Sequence, residues 1–294
     1  MMRSILPWLP FQSSLRKLKR AIVPINRANA EFVLNHGTIM LASLQNSGFT
    51  FRGSAVLELG TGWQPILPII IFLMDPDILF MVDKHRLLDE ISLRQTIAFL
   101  REKALFLEEK LSLSSGTVEK KLCRAATLQF EEILRYFRME YLAPQDAVHI
   151  NVPDARLDCI YSWTVLEHIP PAILTFIVKE FKRILRPGGL MVHTIDNSDH
   201  WSHKDPTITA AHFLRFEDNV WKFFNSNPLD FQNRLRVFEY RDLFENLGFT
   251  IKTLSSNLDE RALASLETMP VCSRYRGCDK KQLASVGLNF ICTH

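Results

Sequence analysis

The sequence predicts an α/β fold: a doubly wound, mostly parallel seven-stranded sheet whose last strand runs antiparallel. Three observations carry that prediction. Short apolar segments of strand length alternate with helical segments through most of the chain. Two of them, Ala55 to Leu59 (AVLEL) and Ile78 to Val82 (ILFMV), are almost continuously apolar, as parallel strands covered on both faces are. Glycine and proline turn signals stand between the segments. At 294 residues and 47% hydrophobic, the chain is long enough to bury a large core.

Residues 1–50 read as an N-terminal helical extension ahead of one domain, 51–294. Met1 to Pro24 carries Arg3, Arg16, Lys17, Lys19 and Arg20 among apolar residues, without the uninterrupted apolar core or cleavage site of a signal peptide. It reads as a surface helix, with contact to a membrane surface as the weaker reading. Ala28 to Gln45 forms a helix with Phe32, Leu34, Ile39, Leu41 and Leu44 on or near one face, ended at Gly48. The first strand, 55–59, runs into a glycine turn and a helix, Gln64 to Leu73; the second, 78–82, ends at Asp83. The apolar stretch from Ile66 to Val82 is interrupted by Pro68 and by Asp75-Pro76-Asp77, whereas a bilayer span needs about 20 consecutive apolar residues. No transmembrane segment is predicted.

From about 87 to 137 the chain is helical and charged, with a turn at Ser112 to Gly116. That is more than one crossover helix requires, and it predicts a helical hairpin inserted after the second strand. A third strand near Glu140 to Ala143 leads to Asp146, and Leu157 to Ser162 is a fourth. Ile173, Ile177, Phe181 and Ile184 then mark a helix that stops at the turn Arg186-Pro187-Gly188-Gly189. Leu190 to Ile195 is the fifth strand. A substrate-side insertion, about 197–236, is irregular and aromatic-rich. Tyr240 to Leu247 is helical, and Phe249 to Leu254 and Gly287 to Cys292 complete the sheet.

A formal net charge of +3, with 23% charged residues, gives no sign of a broad nucleic-acid-binding face. Five widely spaced cysteines without a CxxC suggest neither a disulfide framework nor a zinc knuckle, and point to a reducing, cytoplasmic setting.

Chemistry enters at Glu58-Leu59-Gly60-Thr61-Gly62-Trp63. Glycines let the chain turn tightly and let backbone N–H groups approach a ligand, and the next helix N-terminus favours a carboxylate. Taken alone, this is equally a structural tight turn. Asp83, 23 residues after Gly60, ends the second strand on the side where doubly wound sheets bind ligands. A nicotinamide fingerprint would place a glycine at position 65, which is Pro65.

The pattern E-x-G-x-G at Glu58, Gly60 and Gly62 resembles the class I S-adenosylmethionine-dependent methyltransferases. So do Asp146-Ala147 after the third strand, LDCIYSWTVLEHIPP from Leu157 to Pro171, and ILRPGGLMV from Ile184 to Val192. The four occur in the family's order between about 55 and 195. A third glycine, often found at the position of Gln64, is absent.

The resemblance implies S-adenosylmethionine as cofactor. It places Gly60, Thr61 and Gly62 near the methionine moiety, Glu58 on the turn or the amino group, Asp83 on the ribose hydroxyls, and Asp146 with Ala147 at the adenine. Ser162 and Trp163 would line the methionine side.

Methyl transfer is an in-line displacement that can need a base. Thr164, Asp196 and Trp201 are candidate acceptor contacts, and His200 and His168 candidate catalytic groups, since imidazole is poised for proton removal near neutral pH. His193, inside an apolar strand, reads as a core histidine. No metal site is predicted; the run His200 to Asp205 has two histidines and a carboxylate, but Lys204 and Pro206 disfavour it. The aromatics Phe213, Phe216, Trp221, Phe223, Phe224 and Phe231 either roof a pocket or pack an auxiliary layer, and Asn233-Arg234-Leu235-Arg236 reads as a solvated face. The expected function is O- or N-methylation of a small-molecule acceptor. The alternatives are a nucleic-acid or protein methyltransferase, and a catalytically silent binding protein on the same fold.

Overall fold

A computed structural model describes residues 25–226 and 231–294; the expected surface helix of 1–24 lies outside them. Seven strands form one sheet in the order β3-β2-β1-β4-β5-β7-β6. They are β1 Ala55–Leu59, β2 Ile78–Val82, β3 Met139–Leu142, β4 Leu157–Trp163, β5 Leu185–Ile195, β6 Thr250–Leu258 and β7 Ser285–Thr293. β1 pairs parallel with β2 and β2 with β3, while β6 and β7 are antiparallel. This is the predicted mixed sheet, with β7 inserted between β5 and β6. Among the described residues no helix is long and apolar enough to cross a membrane.

The chain divides into two compact units. One comprises 25–161 with Glu180–Leu190. Its first helix, α1 (Arg27–Asn46), is capped by Asn26, whose side chain accepts from Asn29 N. Ala30, Leu34, Gly37, Leu41 and Leu44 form its buried face. Phe32 and Ile39, expected near that face, are exposed, because two residues of offset turn a side chain about 200° around the helix. The next helix, α2 (Ile66–Leu73), is buried at every position, which explains its apolar composition on all sides.

The insertion is four short helices rather than a hairpin: α3 Glu90–Glu102, α4 Ala104–Lys110, α5 Thr117–Ala126 and α6 Phe130–Tyr136. Lys103 leaves helical geometry between α3 and α4, and a capping box of Gln129 and Glu132 starts α6. Buried Glu108 accepts from Val118 N at 2.9 Å and so ties α4 to α5.

Asp158, the aspartate that opens the fourth-strand motif, accepts from Ala55 N at 2.7 Å and from Arg186 Nε at 2.5 Å. It anchors the starts of β1 and β5 to β4. The expected turn at Arg186 to Gly189 lies inside β5, in which Leu185 is buried, Arg186 to Gly188 are exposed, and the strand is buried from Gly189 onward. Only glycine fits at 189: a Cβ there would stand 2.8 Å from the Leu185 side chain and 2.9 Å from Arg186 O.

The other unit comprises Ser162–Lys179 and Met191–His294. Leu166-Glu167-His168, the L-E-H of the fourth-strand motif, forms a separate 3-10 turn ahead of the next helix. Ile169 is extended before Pro170, as residues preceding proline are, and α7 (Pro171–Ile184) begins with a proline at its first position. Toward the C-terminus follow α8 Asp218–Phe224, α9 Val237–Asn246, α10 Glu260–Ser265 and α11 Lys280–Ala284. Phe213, Leu214, Trp221, Leu266, Tyr275 and Leu283 form part of one core cluster, with partly buried Phe216 packed against it, so three of the aromatics pack a layer, whereas Phe223 and Phe224 are exposed.

The 233–236 segment is not a solvated face. Asn233, Arg234 and Arg236 are all buried. Arg234 donates to Phe213 O at 2.8 Å and pairs with Asp218; Arg236 donates to Asn197 O at 2.7 Å and Ser285 O at 2.8 Å. These guanidinium groups tie loop carbonyls together inside the unit, which the local sequence does not reveal.

Candidate active site

In the first unit, the end of β1 and the turn after it are held by backbone pairing and by one carboxylate. Glu58 and Leu59 lie opposite Met81 and Val82, and Gly60 N donates to Val82 O at 2.7 Å. Gly60 and Gly62 both have positive φ, 81° and 64°, the left-handed region that favours glycine. The space a Cβ at Gly62 would enter holds no atom within 4 Å. Asp83 Oδ2 accepts from Gly62 N at 2.9 Å, and Oδ1 accepts from His85 N at 2.9 Å, so this carboxylate pins the turn to the end of β2. Gln145 N donates to Asp83 O at 2.9 Å, which brings the segment carrying Asp146 and Ala147 to the same strand ends. Asp146 is exposed and accepts from Val148 N at 3.1 Å; Ala147 is half-buried.

Glu58 is 6% exposed. Burial pushes its carboxyl up to about 7, although the Thr61 and Tyr161 hydroxyls nearby work in the opposite direction. Glu58 Oε2, Thr61 Oγ1 and the Tyr161 hydroxyl are buried without a hydrogen-bond partner among the described residues. Pro65 precedes α2 and supplies no side-chain cap, leaving the first-turn N–H groups of that helix uncovered by a side chain.

In the second unit, Ser162 Oγ lies 2.8 Å from His193 Nδ1. His193 is fully buried against Phe244 and Phe290, and burial pushes it down to about 3. It is the expected core histidine, and the Ser162 hydroxyl is directed at it. Trp163 is half-buried. Thr164 has φ +49° and donates its N–H to Thr194 O at 2.8 Å; a β-branched residue in this region is strained.

Glu167, the middle residue of the L-E-H turn, is completely buried. Its Oε1 accepts from Asp196 N at 3.1 Å, and burial pushes it up to about 8. His168 Nδ1 donates to Phe231 O at 2.8 Å. Asp196 Oδ1 accepts from both the N–H and the hydroxyl of Ser198, at 3.0 and 2.6 Å, and Oδ2 stands 3.4 Å from His200 Nε2 and 3.5 Å from His203 Nε2. Burial opposes its ionisation, but His200 and Ser198 outweigh that and hold it down at about 2.

The His200 ring meets His168 edge-on at 5.2 Å and stacks on His203 at 5.3 Å. Thus His168, Asp196 and His200 come together, and Glu167 joins them. Trp201 is turned toward Trp221 and Phe224, at 5.7 and 5.9 Å. What joins Glu167 to the cluster is the reach of its carboxyl to the backbone of residue 196, a contact across 29 positions that no local signal encodes.

Several chains of known structure are similar to this one. A methyltransferase from Mesorhizobium loti, dependent on S-adenosylmethionine, shares 11% identity over 86% of this chain and 96% of its own, with a TM-score of 0.48. One from Methanosarcina mazei shares 12% over 85% and 96%, also at 0.48. No curated protein matches the sequence. The model of a methyltransferase domain family matches residues 40–254, a span that takes in the glycine turn, Asp83, Asp146, the L-E-H turn and Asp196. The chain belongs to that family and is a class I S-adenosylmethionine-dependent methyltransferase.

Proposed function

We propose that the chain transfers a methyl group to an oxygen or nitrogen of a small-molecule acceptor. The observation that carries the reading is the cluster of Glu167, His168, Asp196 and His200 in one unit. Alkylation of a hydroxyl or amine must release a proton, and imidazole beside an ionised carboxylate is the group suited to take it near neutral pH. His200, 3.4 Å from Asp196, is placed as the base, His168 as its neighbour, and Thr164 and Trp201 as acceptor contacts. The near-neutral charge balance favours a small molecule over a nucleic acid.

The cofactor side is read from the other unit. Gly60, Thr61, Gly62 and Glu58 would hold the methionine end of S-adenosylmethionine, and the open space at Gly62 with the unpartnered Glu58 Oε2 and Thr61 Oγ1 fits a ligand carrying both donors and acceptors. Asp83 would accept from the ribose hydroxyls while holding Gly62 N. Asp146 and Ala147 would meet the adenine. The bound sulfonium supplies the methyl group; the protein's part is to align the acceptor and accept its proton. A reducing, cytoplasmic setting is supported by five free cysteines.

The test is calorimetric titration with S-adenosylmethionine and S-adenosylhomocysteine, followed by an acceptor screen. Asp83→Ala is expected to weaken binding at least tenfold, about 1.4 kcal/mol. His200→Ala is expected to leave binding intact and to lower kcat. Equal affinity in a folded Asp83→Ala protein would remove Asp83 from the cofactor site, and unchanged turnover in His200→Ala would remove the base.

A further inference from the structure

Within the acceptor-side unit, Glu167, His168 and His200 each offer one ligand atom, and these atoms all lie within 4.8 Å of one another. Two of the three are incompletely satisfied. Glu167 is fully buried and its Oε2 has no hydrogen-bond partner among the described residues; the buried Nε2 of His200 pairs only loosely, with Asp196 Oδ2 at 3.4 Å. A buried carboxyl oxygen without a partner is costly, and its ionised form is costlier still, unless something compensates it. Here the carboxyl group stands beside two imidazoles, and a cation shared by all three would remove the cost.

The surroundings brace the trio. The Asp196 N–H holds the other oxygen of Glu167 at 3.1 Å. The bond from His168 Nδ1 to Phe231 O at 2.8 Å fixes that ring with its lone pair on Nε2, the arrangement typical of metal-binding histidines. The Asp196 carboxylate, 3.4 Å from His200 Nε2, adds a second negative charge. His203, which the sequence offered as a partner of His200, is outside the group.

We propose that Glu167, His168 and His200 bind a transition-metal dication, with zinc the best fit. Two imidazoles and a carboxylate form a nitrogen-and-oxygen donor set that suits zinc or iron(II), whereas calcium and magnesium take mainly oxygen. Ligand atoms around a tetrahedral zinc ion stand about 3.4 Å apart, so small side-chain rotations bring the three to bonding distance. Three protein ligands leave a further position open, as catalytic zinc sites do.

The site's role in the reaction rests on the methyl-transfer reading above. With the metal bound, an acceptor hydroxyl would be polarised and its proton released to solvent; without it, His200 takes the proton as proposed above. Binding of the metal does not depend on that reading.

The test is direct. Chelator-stripped full-length protein is titrated with zinc against a chromophoric chelator, and with cobalt(II) while its visible ligand-field bands are followed. One equivalent is expected to bind, at least tenfold more weakly in Glu167→Gln and in His200→Ala, and unchanged in the exposed control His36→Ala. Calorimetry with S-adenosylhomocysteine on the same samples reports folding and the cofactor site; should Glu167→Gln fail to fold, His200→Ala carries the comparison. No stoichiometric uptake by the wild type, or undiminished affinity in His200→Ala, overturns the site. Cofactor binding without metal uptake leaves the methyl-transfer reading standing, and metal uptake without cofactor binding does the reverse.

Discussion

Glu58 makes the sharpest statement at the scale of one residue. An unfolded glutamate titrates near 4.5, while burial raises this one to about 7. Between those values the folded chain holds a proton that the unfolded chain has released, so stability falls as pH rises. The contribution is intact below about 4.5 and is lost as pH climbs through 7, a change of about 3 kcal/mol. Glu167, raised to about 8 by its own burial, continues the decline. Glu58→Gln, which cannot ionise, is therefore expected to flatten the dependence of Tm on pH between 5 and 8. An unaltered slope in that variant would mean that Glu58 ionises equally in the folded and unfolded chains. The same burial explains why the residue was visible as chemistry in the sequence but not as a proton store: E-x-G-x-G gives its position, and the neighbouring Tyr161 comes from a strand about 100 residues away.

Between elements, Asp158 decides where the sheet begins. It accepts the N–H of the first residue of β1 and the Nε of the second residue of β5. Asp158→Ala strands the buried Ala55 N–H and releases Arg186, and is expected to cost about 1–3 kcal/mol. A urea midpoint lowered with an unchanged m-value would show it; a change below about 0.5 kcal/mol would reduce the contact to a surface pair. The strands, the glycine turn and the order of motifs could all be read from sequence because each is written in a few adjacent residues. Helix subdivision between 90 and 136 could not, since the breaks at Lys103 and before α6 lack the glycine or proline that usually mark them. The buried Arg234 and Arg236 were read as solvated for a related reason. What neutralises their cost is a set of backbone carbonyls up to 49 positions distant.

Across the whole molecule, the cysteines form a built-in unfolding probe. Cys159, Cys272 and Cys292 are buried, while Cys123 and Cys278 are half-buried. Cys123 Sγ lies 3.0 Å from Glu119 Oε1, and that carboxylate raises its pKa and slows its reaction. A bulky alkylating reagent is therefore expected to modify Cys278 first, Cys123 more slowly, and the other three only on unfolding. Cys159 belongs to one compact unit, and Cys272 and Cys292 to the other. Yet β4 and β5 each continue from one unit into the other along the chain, so unfolding either unit alone would sever two strands of the sheet in mid-course. That continuity predicts a single cooperative transition. In pulsed alkylation across a denaturant series, read peptide by peptide, Cys159 should become reactive at the same midpoint as Cys272 and Cys292. Two separated midpoints would show that the strands fray at the crossing and that each unit keeps its fold without the other.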